Sequence, residues 1–180
     1  MNATLAAMHH HADSTPQDFA DSAGRYHALC QELAGLLAGE RDWLVNLANT
    51  AALLHLRLPA LNWAGFYLWR GGELVLGPFQ GKPACVRIAR GRGVCGTAAA
   101  RRATVVVANV HEFPGHIACD AASASEIVVP LAADGRQLGV LDLDSPNVGR
   151  FTADDQRGLE EVVCILLSAT DWPANIGDPL

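Results

Sequence analysis

The chain is expected to fold as one α+β domain, an antiparallel sheet covered by helices. Three observations point there. Residues from about 15 to 58 keep helical spacing. The middle of the chain is cut into short β-rich runs joined by Gly-, Pro- and Asp-containing turns. A capped amphipathic helix closes it. At 180 residues, half of them apolar and 18% charged, the chain has enough material for one buried core.

Thr15 reads as an N-cap, followed by Pro16 and Asp18 in a first helical turn. The stripe Phe19, Tyr26, Cys30, Leu33 and Leu37 repeats at helical spacing, and Gly39 ends it. Asp42 caps a second helix whose face is Leu44, Leu47, Ala51 and Leu54. A short loop between the two predicts an N-terminal helical hairpin. After Pro59 the pattern turns to strands. WAGFYLW (63–69) pairs across Arg70-Gly71-Gly72 with ELVL (73–76). A Gly/Pro-rich loop, GPFQGKPAC, comes next. A short strand (86–88), an Ala-rich helix, GVCGTAAAR (93–101), and a β-branched strand (104–108) follow. The long loop NVHEFPGHIACDAASAS leads to a hairpin of residues 127–131 and 137–143, turned by Asp134-Gly135. Thr152 opens the last helix with a capping-box pattern, and Leu159, Val162, Val163, Leu166 and Leu167 form its apolar face.

The formal charge of −6 argues against nucleic acid or an anionic membrane as partner. The apolar runs are too short to span a bilayer, and the N-terminus lacks the basic and apolar regions of a signal peptide. Five cysteines without a tight framework suit free or catalytic thiols in a reducing cytoplasm. Residues 1–13, with His9-His10-His11, fall outside the patterned region, which runs from 14 to 170. Residues 171–180 read as a C-terminal tail.

Cys119 raises the chemical question. It sits in a turn-like run of small residues beside Asp120, where a packing cysteine would ordinarily lie inside an element. Cys85 lies in the Gly/Pro-rich loop. Cys95 lies near the start of the Ala-rich helix, where the helix N-terminus is expected to favour its thiolate. The alternatives for the three are core packing or a structural metal. No C-x2-C pair supports a metal site, and none is expected. Cys30, on a helix stripe, and Cys164, bordering one, read as structural. Asp142 and Asp144, two apart on a strand, point to one face and must meet solvent or line a cavity. With Glu126 beside them, at least one carboxyl pKa is expected to rise, leaving a protonated acid at neutral pH. Against these stands a solvated strand end. Trp63 and Tyr67 share a face of the first strand and are candidate pocket walls, the alternative being ordinary core. His116, three residues before Cys119, stands near enough in sequence to lower its pKa, or is a plain loop histidine.

The closing hairpin and helix resemble the end of a GAF domain. NWAGFYL, GPFQGKPAC, GRGVCGTA, HIACD, SEIVVPL and LDLDSP together resemble the motif string of the free methionine-(R)-sulfoxide reductases, from about residue 19 to about residue 167. The specific feature is C-x9-C-x23-C with the carboxylates behind it. The resemblance implies a GAF-like catalytic domain acting on free methionine (R)-sulfoxide without a cofactor. It implies Cys119 as the catalytic thiol and Cys95 and Cys85 as resolving thiols. It implies Trp63, Glu126, Asp142 and Asp144 as substrate-binding residues; Tyr67, on the same strand face as Trp63, is a weaker candidate from that placement alone. Thioredoxin as reductant is also an implication of the family, and a homodimer through terminal helices is compatible with it. The reading from a different class is a GAF small-molecule sensor without turnover. Three spaced thiols are superfluous to such a module.

Overall fold

Trp63–Arg70 (β1) sends alternate side chains to opposite faces of a sheet, and that alternation organises the molecule. Ala64, Phe66 and Leu68 enter one buried cluster, whereas Trp63, Tyr67 and Trp69 enter another. The computed structural model describes residues 22–115 and 121–179. Among them are helices Ser22–Leu36 (α1), Trp43–Arg57 (α2), Gly93–Arg101 (α3) and Ala153–Ala169 (α4). The other strands are Glu73–Gly81 (β2), Arg87–Ala89 (β3), Val105–Val107 (β4), Ser125–Ala133 (β5), Arg136–Ser145 (β6) and Asp178–Pro179 (β7). The sheet is antiparallel, in the order β3-β2-β1-β6-β5-β4, with β7 paired to β6.

Helices α1, α2 and α4 cover one face, and α3 covers part of the other. The cap residues act as expected. Asp42 accepts from Leu44 N–H and Val45 N–H, and Thr152 and Asp155 form a reciprocal capping box. Gly39, at φ +83°, follows the end of α1, a conformation glycine adopts without a Cβ penalty. Tyr26, Cys30, Leu33 and Leu37 are buried as the stripe predicts, while Thr15 to Phe19 lie outside the described residues. Arg57 pairs with Glu32 to tie α2 to α1, but the main neighbour of α1 is α4. There Tyr26 donates to Asp155 at 3.0 Å, and Gly158 has no Cβ because one would lie 2.1 Å from the Tyr26 ring.

Several expectations change. Residues 77–81 continue β2 instead of looping, because β1 shifts register between Gly65 and Tyr67 and keeps pairing as far as Gly81. Leu44 is 51% exposed, whereas Trp43 beside it packs against the core. Cys164 is also exposed, on the outer side of α4, and so is not a packing cysteine. Residues 171–179 are not a loose tail. Ile176 is buried, Gly177 N–H donates to the Trp69 carbonyl, and Arg136 donates to the carbonyls of Pro173 and Ile176.

Candidate functional site

The α3-side face of the sheet holds a pocket. Its floor is β1, β5 and β6, its side is the first turn of α3, and its rim is residues 82–84. Cross-strand register assembles the acidic group. Glu126 faces Asp144 across β5 and β6, Asp144 also faces Trp63, and Asp142 lies between Val128 and Gly65. Glu126, Asp142 and Asp144 therefore share one face of adjacent strands, as the two-residue spacing predicts.

Trp63 stacks on Tyr67 (5.9 Å between ring centroids) and on Phe79 (5.4 Å). Its indole N–H donates to the Lys82 carbonyl, and the Tyr67 hydroxyl donates to the Cys85 carbonyl. Two pocket-wall aromatics thus hold the rim segment in place. Gly65 is required here, because a Cβ would lie 2.4 Å from Phe79 Cβ. Gly96 lets α3 close on β3, because a Cβ there would lie 2.5 Å from the Ala89 carbonyl.

The electrostatics are unusual for a fold interior. Burial pushes the Glu126 carboxyl well up, and the charges of Asp142 and Asp144 push the same way. Burial also raises Asp142, to about 7, partly offset by hydrogen bonds with Cys95 and Glu126. One oxygen of Asp142, Oδ1, is buried without a hydrogen-bond partner. Both carboxyls are therefore shifted toward their protonated forms, Glu126 by burial and by its acidic neighbours, Asp142 by burial. The Cys95 thiol donates to Glu126 Oε1 at 3.8 Å. Burial, then Asp142 and Glu126, push its pKa well above that of an ordinary thiol. The expected thiolate at the α3 N-terminus is therefore overturned: two nearby carboxyls and full burial outweigh a helix dipole. Cys95 Sγ and an oxygen of each of Glu126 and Asp142 lie within 4.8 Å of one another, a spacing a metal ion would accept.

Cys85, half-buried on the rim, is disulfide-bonded, whereas Cys30, Cys95 and Cys164 are free thiols. Burial raises Cys30 to about 11, in keeping with a packing role. Cys119 and His116 lie outside the described residues, as does His9-His10-His11. The pocket joins Trp63, Tyr67, Cys95, Glu126, Asp142 and Asp144. It adds residues that sequence reasoning missed. Lys82 and Arg92 are signalled by their motif neighbours, while Phe79 stands behind the pocket, stacked on Trp63. Ser123, held by Asn62 at 3.0 Å, carries no sequence signal.

A GAF domain model matches residues 46–164. A free methionine-R-sulfoxide reductase of Escherichia coli is 55% identical over 150 residues, 82% of this chain and 91% of that protein. One from Saccharomyces cerevisiae is 41% identical, over 87% of this chain and 92% of that protein. This chain belongs to the free methionine-R-sulfoxide reductase family of GAF domains. The crystal structure of such a reductase from Neisseria meningitidis, in complex with its substrate, superposes with a TM-score of 0.80. It is 48% identical and covers 83% of this chain and 90% of that one. The GAF fold expected from the motif string is the fold of this chain. Among the described residues, no helix is long and apolar enough to cross a membrane.

Proposed function

We propose that this chain reduces free L-methionine (R)-sulfoxide to methionine, with its own cysteines as the electron source. The observation that carries the reading is the acidic face of the pocket, where Glu126, Asp142 and Asp144 line one cavity together with Trp63. A buried carboxylate oxygen without a partner, Asp142 Oδ1, is suited to an ammonium group. A methionine inside a protein has no such ammonium, because its nitrogen is in an amide. The α-carboxylate is assigned to the first turn of α3 at Gly93 and Val94, where helix N–H groups lack partners within the helix, beside Arg92. Trp63 packs the S-methyl end and excludes water.

Protonated Glu126 hydrogen-bonds the sulfoxide oxygen and makes the sulfur more electrophilic. Cys119 is assigned as the attacking thiolate. Oxygen leaves the substrate for the cysteine sulfur, so methionine is released and Cys119 becomes sulfenic acid. A second thiol condenses with it, forming a disulfide and releasing water. Cys85 is assigned as that thiol. It is already a disulfide cysteine on the pocket rim, whereas Cys95 is a buried, protonated thiol beside Glu126. Cys95 instead holds Glu126 in place through its S–H. A dithiol, thioredoxin in our proposal, restores the reduced enzyme, two electrons per cycle.

Further readings follow from the surface and the thiols. The exposed apolar side chains of Leu44, Val45 and Leu56 on α2 support a homodimer through helices. A light-scattering mass of one chain would overturn it. The free thiols favour a cytoplasmic location. The activity itself is tested by incubating the purified protein with each epimer of free methionine sulfoxide and dithiothreitol, then quantifying methionine. Methionine is expected from the R epimer alone, and none from either epimer would leave a binding module. Cys119→Ser is expected to remove turnover, and near-normal multiple turnovers by that variant would overturn the thiol cycle.

A further inference from the structure

We propose that the exposed basic face formed by residues 82–92 is the docking surface for an acidic dithiol protein, which delivers its electrons to the disulfide of Cys85. The inference rests on the thiol cycle above and adds where the reductant binds and which sulfur it approaches. Four of the chain's thirteen basic residues, Lys82, Arg87, Arg90 and Arg92, fall in these eleven residues, which contain none of its nineteen carboxylates. All four are exposed, on a protein that is otherwise strongly acidic. An anionic partner approaching elsewhere meets net negative charge, so the field itself favours this side.

The face is firmly built. Trp63 holds the Lys82 carbonyl and Tyr67 holds the Cys85 carbonyl, both from the pocket wall. The Val86 carbonyl accepts from Leu76 N–H, and Arg92 N–H donates to the Ala89 carbonyl. Arg87 leans on Glu73, and the Arg90 guanidinium lies 4.6 Å from the Trp69 ring centroid. A partner therefore meets cations on an ordered framework and loses little entropy in ordering them. Val86, next to the disulfide cysteine, is 65% exposed, an apolar contact in the middle of the charged ring. Interfaces commonly place such a contact at their centre and charges at the rim.

The exchange step follows from that geometry. A thiolate of the partner attacks the Cys85 sulfur, forming a mixed disulfide, and the sulfur formerly bonded to Cys85 leaves as a thiolate. The partner's second thiol then attacks its own sulfur in the mixed disulfide and releases Cys85. The partner ends as a disulfide and this chain as a dithiol.

The test separates the docking surface from the thiol cycle by using two reductants. Methionine formation is driven either by dithiothreitol, small and uncharged, or by a thioredoxin of net negative charge recycled by its reductase and NADPH. For the wild-type enzyme, kcat/KM for thioredoxin is expected to fall about tenfold between ~0.05 and ~0.5 M NaCl, with the dithiothreitol rate unchanged. Arg87→Ala combined with Arg90→Glu is expected to raise KM for thioredoxin about tenfold, flatten its salt dependence and leave the dithiothreitol rate as it was. If the double variant melts early, the wild-type salt series decides. Equal responses of both reductants, no salt response, or a salt response that the folded double variant retains in full would each overturn the docking surface. Failure of the wild-type enzyme to form methionine with dithiothreitol would instead overturn the proposed function beneath it.

Discussion

Asp155 and Asp142 are the same residue, both almost inaccessible, on opposite sides of one sheet. Asp155 lies among the three helices. Burial pushes its carboxyl up, but hydrogen bonds from Arg150 and from the N–H and hydroxyl of Thr152, with the Arg150 charge, bring it below the usual value. Asp142 faces the pocket, among Glu126 and Cys95, and burial raises it to about 7. One carboxylate completes a structural network, and the other is left with a buried oxygen unpartnered. Burial raises both carboxyls, but the outcomes are opposite: Arg150 and the Thr152 cap more than offset it at Asp155, whereas the hydrogen bonds of Cys95 and Glu126 offset it only in part at Asp142. The helical face is where the fold is stabilised. The pocket face holds charge that is unfavourable until a cationic group arrives, a pattern that marks ligand sites.

Breaking the helical side should cost the most stability. Asp155→Ala removes the partner of Arg150, Tyr26 and the Thr152 cap at once, so a loss of about 3 kcal/mol is expected in denaturant unfolding. A loss below about 1 kcal/mol would mean the network is solvated. Gly158→Ala, which drives a methyl into the Tyr26 ring, should approach that figure by overpacking.

Asp142→Asn should do the reverse. Removing a buried ionisable group is expected to raise stability at pH 8 by on the order of 2 kcal/mol. It should also lower kcat/KM for free methionine (R)-sulfoxide about a hundredfold, as the ammonium loses its charged partner. A destabilised Asp142→Asn with normal kinetics would erase the distinction between the two faces.

The pH dependence sharpens the comparison with a smaller effect. Asp155, with its depressed pKa, contributes stability that is present above about pH 4, the ordinary carboxyl value, and lost as pH falls through its folded value. Asp142 works oppositely. The folded form keeps its proton up to about 7 while the unfolded chain releases it near 4, so stability is lost as pH rises across that interval. Thermal melts of Asp142→Asn should lack this loss, and those of the wild type should show it. Smallest of all, Cys164→Ser on the exposed side of α4 should change stability by less than about 0.5 kcal/mol.

The helical side was largely legible in the sequence, because its signals are local. A capping box at Thr152, an Asx cap at Asp42 and a 3.6-residue stripe through Tyr26 and Leu33 need only their neighbours. The shared face of Asp142 and Asp144 was legible for the same reason, as strand periodicity fixes it. The Phe79 contact was hidden in a Gly/Pro-rich stretch that reads as a loop. That stretch becomes strand only because β1 offers it an edge past the bulge at Gly65. The state of Cys95 was misread because a helix N-terminus is visible in one dimension, whereas the carboxyls of Glu126 and Asp142 reach it across 31 and 47 residues of chain.

The most direct test of the difference between the two faces is the titration of Asp142 itself, followed by carbon-13 NMR of its carboxyl in the free protein and with saturating free methionine as the ammonium-bearing ligand. The expected midpoint is about 7 without ligand, moving down when the ammonium binds. A midpoint near 4 in the free protein, or one that free methionine leaves in place while it binds, would contradict a pocket face held at a cost until an ammonium fills it.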